Sequence, residues 1–290
     1  MGGPRDDDEN KGGCAVRGDG DGWVVAPDGS RRWGRHGAAG LLLRAPGPGG
    51  AHVVLQHRAG WSHHGGTWGI PGGARDSHES ALQGALREAA EETGLAPAEV
   101  RVRAELVTAR VGPGWSYTTV VADAPDRLPL VADHESAELR WVPEDEVDTL
   151  PLHPSFALSW PGLRARPVRL LLDVANVVGS RPDGWWRDRA GATTALLGRV
   201  ASHVPRTLEL NGAFLRVDSV EAVVEGDARG VQAAGLGLHR APGSGDDELV
   251  RVATAEHLVV TADRGLRARL APAVAVTGPS TVLSWLDGEV

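Results

Sequence analysis

Residues 73–95, GARDSHESALQGALREAAEETGL, constrain this chain more than any other stretch. Ala81, Leu82, Ala85, Leu86, Ala89 and Ala90 recur at helical spacing and form an apolar stripe that can dock on a sheet. Gly94 is the residue a helix needs for a left-handed stop, and Leu95 can pack back against the last turn. Pro71-Gly72-Gly73 reads as a turn on the way in. Glu79 falls near the helix start, where the dipole favours a negative charge. Within this frame Glu88, Glu91 and Glu92 share one helix face. Like charges packed so closely are costly unless something cationic lies among them. Oxygen-only donors select Mg²⁺ or Mn²⁺ over zinc or copper. Arg87, beside Glu88, can bridge Glu79 and Glu91. A solvated acidic face would explain the glutamates alone, but not the glycine and arginine frame around them.

Gly73, Glu79, Arg87, Glu88, Ala89, Glu91, Glu92, Gly94 and Leu95 occupy every fixed position of the pattern G-x5-E-x7-R-E-U-x-E-E-x-G-U, with Ala89 a small choice for the bulky aliphatic U. The stretch therefore resembles the Nudix box. The likeness extends over about residues 36–150. His36–Arg44 and His52–His57 read as strands about a Gly/Pro-rich turn, and Trp68–Gly73 as the strand and turn entering the box. Val100–Val107, Ser116–Ala122 and Ala137–Val142 are further strands, with a helix beginning at Glu144–Thr149. The resemblance implies an α/β/α sandwich with a mixed sheet. It also implies hydrolysis of nucleoside diphosphates linked to another moiety, with Glu88, Glu91, Glu92 and the carbonyl of Gly72 as metal ligands. Arg87 and Glu79 would orient those ligands. The general base varies in this family between a box glutamate and a later carboxylate, here Glu135, with Glu138 next. The segment from Gln56 to Trp68 resembles the MutT-like branch, which acts on nucleoside triphosphates. Arg58, Trp61 and Trp68 are its candidate substrate contacts, although a tryptophan is more often simply buried.

At 290 residues the chain has room for a second domain. The acidic, glycine-rich residues 1–22 read as a disordered tail, residues 23–158 as the first domain, and 159–167, with prolines that block helix, as a linker. In 168–290 apolar and helical segments alternate. Strands are expected at Val168–Val174, Ser219–Val224, Leu258–Thr261 and near Val274–Val276. Helices are expected at Arg187–His203, Asp246–Thr254 and Leu266–Leu270. That order implies an α/β domain with a mainly parallel sheet. Ligands of such sheets lie at the carboxyl ends of the strands, and Asp173, Asn176 and Asp263 mark strand ends while Asp246 and Asp247 open a helix. Singly, these are caps and turns. Together, D-x-x-N, G-S-G-D-D and T-A-D-R-G resemble the NYN/PIN-like nucleases. That likeness implies a Rossmann-like fold whose aspartates hold Mg²⁺ or Mn²⁺ and cut RNA.

Composition narrows the rest. A hydrophobic content of 41% supports true cores, and no apolar run reaches the ~18 residues of a membrane span. The start has no signal-peptide pattern and the single cysteine, Cys14, can form no internal disulfide, so a cytoplasmic protein is expected. The net charge of −8 lies almost wholly in the first half, and neither half is a basic nucleic-acid-binding body. Three functions fit: a Nudix hydrolase fused to a nuclease-like domain, a bifunctional protein acting mainly on RNA, or a nucleotide-sensing Nudix module without turnover.

Overall fold

Leu41, Leu42 and Leu43 are successive residues of one strand, and all three are buried. A strand alternates its side chains between two faces, so this sheet is covered on both. The computed structural model describes residues 18–25, 29–62, 64–112 and 114–288, and the chain divides into two compact units, Met1–Pro161 and Gly162–Val290.

The first unit contains β1 (Trp23–Val25), β2 (Arg31–Trp33), β3 (Ala38–Gly47), β4 (Gly50–Arg58), β5 (Trp68–Gly69), β6 (Gly72–Ala74), α1 (Ala81–Thr93), β7 (Arg101–Val111), β8 (Trp115–Asp123), β9 (Ser136–Pro143) and α2 (Pro154–Leu163). β1 and β2 form a separate antiparallel ribbon. The main sheet runs β5-β4-β3-β8-β7, with β6 also on β3 and β9 also on β4. β3 and β8 are parallel and the other pairs antiparallel, so the sheet is mixed. Ala85 and Ala89 of α1 pack with Leu41, Leu43, Val54 and Val120; small residues let the helix lie close to the sheet. Ser80 and Gln83 cap α1 reciprocally in a capping box, and Gly94 closes it at φ 72°.

Several expectations are refined. Gly72 and Gly73 are not free turn residues; they pair with Gly40 and Ala39 in β6. A side chain at Gly72 would put its Cβ 2.4 Å from the Gly40 Cα, so the close strand approach demands glycine. Residues 144–149 form only a 3-10 turn at Val147–Thr149. The backbone N–H of Glu144 donates to Ala51 and its carboxylate pairs with Arg44 at 3.0 Å, both side chains buried, which ties the segment start to the sheet. The expected linker is partly helical. Pro154 opens α2 where no N–H is needed, whereas Pro161 lies inside the helix and has no N–H to add to its ladder. Of the tail expected over residues 1–22, 1–17 lie outside the described residues. Within 18–22, Gly20 N–H donates to Asp76 and Asp19 accepts from Ser77 N–H.

The second unit contains β10 (Arg166–Asp173), α3 (Val174–Gly179), α4 (Arg189–Ala201), β11 (Arg206–Leu210), β12 (Ala213–Val224), β13 (Gly237–Arg240), α5 (Gly245–Val252), β14 (His257–Val260), α6 (Arg264–Arg269), β15 (Ala275–Thr277) and α7 (Pro279–Leu286). The sheet order is β11-β12-β10-β14-β15, with β13 also on β12. Only the β11–β12 pair is antiparallel. Leu170 and Leu172 face a core with Leu196, Leu197, Val200 and Trp285, whereas Leu171 faces one with Leu249 and Leu266. Helices thus cover both faces. The chain leaves the central β10 for β12 on one side and later crosses to β14 on the other, which makes a topological switch point at the carboxyl end of β10. Among the described residues no helix is long and apolar enough to cross a membrane.

Candidate active sites

The three box glutamates share a helix but not an environment. Glu92 stands on the buried stripe that includes Ala85 and Ala89 and is only 6% exposed. The Glu88 side chain is 16% exposed and that of Glu91 is 60% exposed. Glu92 Oε2 accepts the Gly72 N–H at 2.8 Å, joining the end of α1 to β6. Glu88 lies over Gly73, where an added Cβ would come within 2.5 Å of its carboxylate. The glycine pair therefore leaves room for one carboxylate and donates a hydrogen bond to the other.

Arg87 organises the cluster. Its Nε and Nη2 donate to the two oxygens of Glu79 at 2.7 and 2.9 Å, a bidentate pair. Nη1 reaches Glu88 at 2.9 Å and Glu91 at 3.3 Å, and Nη2 also donates to the Ala74 carbonyl. Glu79 precedes the N-cap Ser80, so it lies outside the first turn of α1 and serves the arginine rather than the dipole. The Arg87 hydrogen bonds hold its carboxyl below the usual range.

One guanidinium does not compensate the buried acids. Burial pushes Glu92 up to about 8, with the Glu88 charge adding to it. Burial pushes Glu88 up to about 7, against the pull of Arg87. Two carboxyl groups raised together, with oxygen donors only, fit a divalent cation, which would favour their charged forms. Tyr117 is raised as well, by burial and then by Glu92, with Arg58 opposing, so Arg58 and Tyr117 also face this cluster.

The remaining sequence candidates are scattered. Trp68 is buried, with its ring covered by the His57 ring at 4.8 Å and by the Arg140 guanidinium at 4.8 Å. Trp61 is 70% exposed, beside the ring of His134. Glu135 is exposed, and Glu138 is engaged by Arg140. Asp133, not singled out from the sequence, is the acid of this loop whose charge is felt at Glu92. Its Oδ1 accepts the backbone N–H groups of Glu135 and Ser136 and the Ser136 hydroxyl.

A second acidic cluster lies in the second unit. Asp173, Asn176, Glu225, Asp246 and Asp263 line one cavity of about 230 Å³, together with Val223 and Leu249. Asp173 ends β10, caps α3 by accepting the Asn176 N–H, and accepts the Thr261 hydroxyl at 2.7 Å. Asn176 Oδ1 accepts from Ala262 N–H at 2.8 Å, fastening α3 to the end of β14. Asp263 caps α6. Glu225 accepts from Gly245 N–H at 2.6 Å, where α5 begins. Asp173 is raised by burial and then by the charges of Asp246 and Glu225. Asp246 is raised by burial and then by Asp263, with Arg269 opposing. Asp247 does not line the cavity; it points to Arg269. Asp173 and Asp263 cap helices and still face the shared space, whereas Asp246, expected as a cap, lies in the first turn of α5 behind the N-cap Ser244 and makes no cap hydrogen bond.

Residues 34–159 match the family model of the NUDIX domain. "Putative 8-oxo-dGTP diphosphatase 3" of Mycobacterium tuberculosis is 61% identical over 162 residues, 54% of this chain and 75% of that protein. "Nucleoside triphosphate pyrophosphatase/Nudix hydrolase fusion protein" of Bifidobacterium longum is 46% identical over 153 residues, 51% of this chain and 31% of that protein. The crystal structure of a Nudix hydrolase from M. smegmatis, RenU, is 61% identical, covers 50% of this chain and 93% of its own, and has a TM-score of 0.48.

Proposed function

The chain belongs to the Nudix family of pyrophosphohydrolases, and on that premise we propose that its first unit is a Mg²⁺- or Mn²⁺-dependent enzyme cleaving the pyrophosphate of a nucleoside triphosphate or a related nucleoside diphosphate derivative. The observation that carries this reading is the carboxylate set around Arg87, with Glu88 and Glu92 both driven up by burial. Glu88, Glu91, Glu92 and the Gly72 carbonyl would hold the cation. Bound there, a divalent ion would polarise a phosphoryl oxygen and lower the pKa of water. Arg87 keeps Glu88 and Glu91 in register with Glu79, so the ligands need little reorganisation. Glu135 or Asp133, on the loop before β9, would take the proton from the attacking water. Arg58 and the exposed Trp61 are the substrate contacts this reading favours.

The relative at 61% identity bears the name of an 8-oxo-dGTP diphosphatase, so an oxidised guanine deoxynucleotide belongs first in a substrate panel. The test is product analysis with nucleoside triphosphates and sugar or dinucleoside diphosphates, in Mg²⁺ and in Mn²⁺, using isotopically labelled water. Nucleoside monophosphate and pyrophosphate from a triphosphate, abolished by EDTA, are expected. Failure to hydrolyse any of the panel would favour a sensing module and overturn the reading.

A second reading concerns the second unit. Asp173, Asp246, Asp263 and Glu225 around one cavity at the switch point favour metal-dependent cleavage of phosphodiesters in RNA, with Asn176 positioning the site. The full chain incubated with single-stranded RNA and Mn²⁺ would show it; intact RNA would exclude it.

A further inference from the structure

Tyr117 is the single tyrosine of the chain and stands in β8 opposite Ala38 of the parallel β3. Side chains on one face of a sheet recur every second residue, so Tyr117 shares a face with Ala38 and Gly40. The other face, with Ala39, Leu41 and Leu43, packs against α1. The Tyr117 side chain is half-buried and reaches diagonally along the sheet to Gly40. A Cβ added at Gly40 would strike its hydroxyl, and one added at Gly72 would come within 3.0 Å of it. Gly40 and Gly72 are themselves paired between β3 and β6. Two glycines on neighbouring strands therefore clear the space that this one oxygen occupies. The Gly72 N–H donates to Glu92 at 2.8 Å, so the hydroxyl stands at the backbone that holds the deepest box glutamate.

Packing asks only for the ring, which a phenylalanine would supply. Among the described residues the hydroxyl has no hydrogen-bond partner. The Pro71 carbonyl lies against the same side of Gly40 and is already taken by the Leu41 N–H at 2.9 Å. Burial, and then the Glu92 charge, hold the phenol above its ordinary range, so it keeps its proton and can donate it. The groups of the box at this point, carboxylates and backbone carbonyls, are acceptors. An ionised phosphoryl oxygen is an acceptor as well, and it needs a donor among them.

Resting on the Nudix reading above, we propose that Tyr117 is a substrate-contact residue: its hydroxyl donates a hydrogen bond to a phosphoryl oxygen of the nucleotide bound beside Gly72. The contact is to the phosphate chain rather than the base, because Gly72 and Glu92 mark the end of the site where the pyrophosphate is cleaved. It forms only with substrate in place, which is why the hydroxyl bonds nothing in the free protein.

Tyr117→Phe removes one oxygen and keeps the ring. Product formation from nucleoside triphosphates in Mg²⁺ should show kcat/KM about 10–100-fold lower, the size of one hydrogen bond to a charged group. The loss should be alike for guanine, adenine and cytosine nucleotides, which share the phosphate chain. Calorimetric titration with an α,β-methylene nucleoside triphosphate, which needs no turnover, should show weaker binding to the variant. Tm without ligand should not fall. Wild-type kcat/KM in the variant, unchanged affinity for the analogue, a loss confined to one base, or a loss accompanied by a lower Tm would overturn the proposal. A wild-type protein that hydrolyses no nucleotide would sink the Nudix reading instead. In that case the binding of the analogue to the two proteins alone decides on Tyr117.

Discussion

The two acidic clusters are assembled by opposite routes. In the first unit three glutamates come from one turn and a half of α1, and a single arginine holds them. In the second unit four acids come from four separate places: the end of β10, the residue after β12, the start of α5 and the N-cap of α6. No arginine stands among the cavity-lining residues of the second site. There Asp173, Asp263 and Glu225 are held by the N–H groups of Asn176, Leu266 and Gly245 and by the Thr261 hydroxyl. A cluster from one helix is as rigid as the helix, and needs a cation only to relieve repulsion. A cluster from strand ends is as rigid as the sheet, and each acid must be fixed separately. Local assembly makes the first site tolerant of change elsewhere; distributed assembly makes the second sensitive to any displacement of α3, α5 or α6.

Substitutions can break this contrast at either end. The largest effect is expected for Glu92→Gln. It removes the charge of the most buried box glutamate while keeping its shape, and nucleotide hydrolysis should fall by more than about 100-fold, beyond the loss of an orienting group. RNA cleavage by the same protein should be unchanged. Measuring both activities on one preparation checks this, and a joint loss would show that the two reactions share one site.

Asp173→Asn is the mirror experiment. Asparagine caps a helix about as well as aspartate, so α3 should persist while the negative charge facing Asp246 and Glu225 is lost. RNA cleavage should disappear, nucleotide hydrolysis should remain, and Tm without metal should not fall. Calorimetry with and without Mn²⁺ would show whether the metal-dependent part of the stability has gone.

Arg87→Lys comes next. A lysine keeps the charge but cannot form the bidentate pair with Glu79 while reaching Glu88 and Glu91. A loss of about 10–100-fold in kcat is expected, with more Mg²⁺ needed for half-maximal rate. A variant as active as wild type would mean that the glutamates orient themselves.

The smallest effect is a pH dependence of stability. Glu88 and Glu92 have folded-state pKa values of about 7 and about 8, above the ordinary 4.5 of an unfolded chain. Between those values the folded protein binds more protons than the unfolded one, so metal-free stability falls as pH rises from about 4.5 to about 8. Asp173 and Asp246 are raised too and act in the same direction. Thermal unfolding in EDTA should give a Tm several degrees lower at the upper end of that window, and Mg²⁺ should flatten the slope. Glu92→Gln should remove much of the slope, which separates the first site from the second.

Much of the first site was legible because it is local. Helical periodicity, the glycine stop and the arginine beside three glutamates are all written within 23 residues. Other parts were harder to read. Glu225 carries no motif and joins its cluster only because β12 ends beside β10 in a parallel pair. Gln56 and Asp133 have ordinary identities and meet through Ser136 across the β4–β9 pairing. β11 and β13 escaped notice because short edge strands with mixed polarity lack a clear alternation. Trp68 looked like a surface for a base and is instead covered by His57 and Arg140.

What could be read residue by residue was chemistry with a short range: which side chains can hold an oxygen-loving cation, where α1 starts and stops, and which apolar runs are deep strands. Folding in three dimensions sorted equals into unequals. It left Glu91 in solvent and buried Glu92, turned Asp247 away while bringing Glu225 in, and joined Gln56 to a loop far along the chain. Burial and hydrogen-bond geometry set the protonation and orientation of a carboxylate, and both depend on neighbours that the sheet pairing supplies rather than on neighbours in sequence.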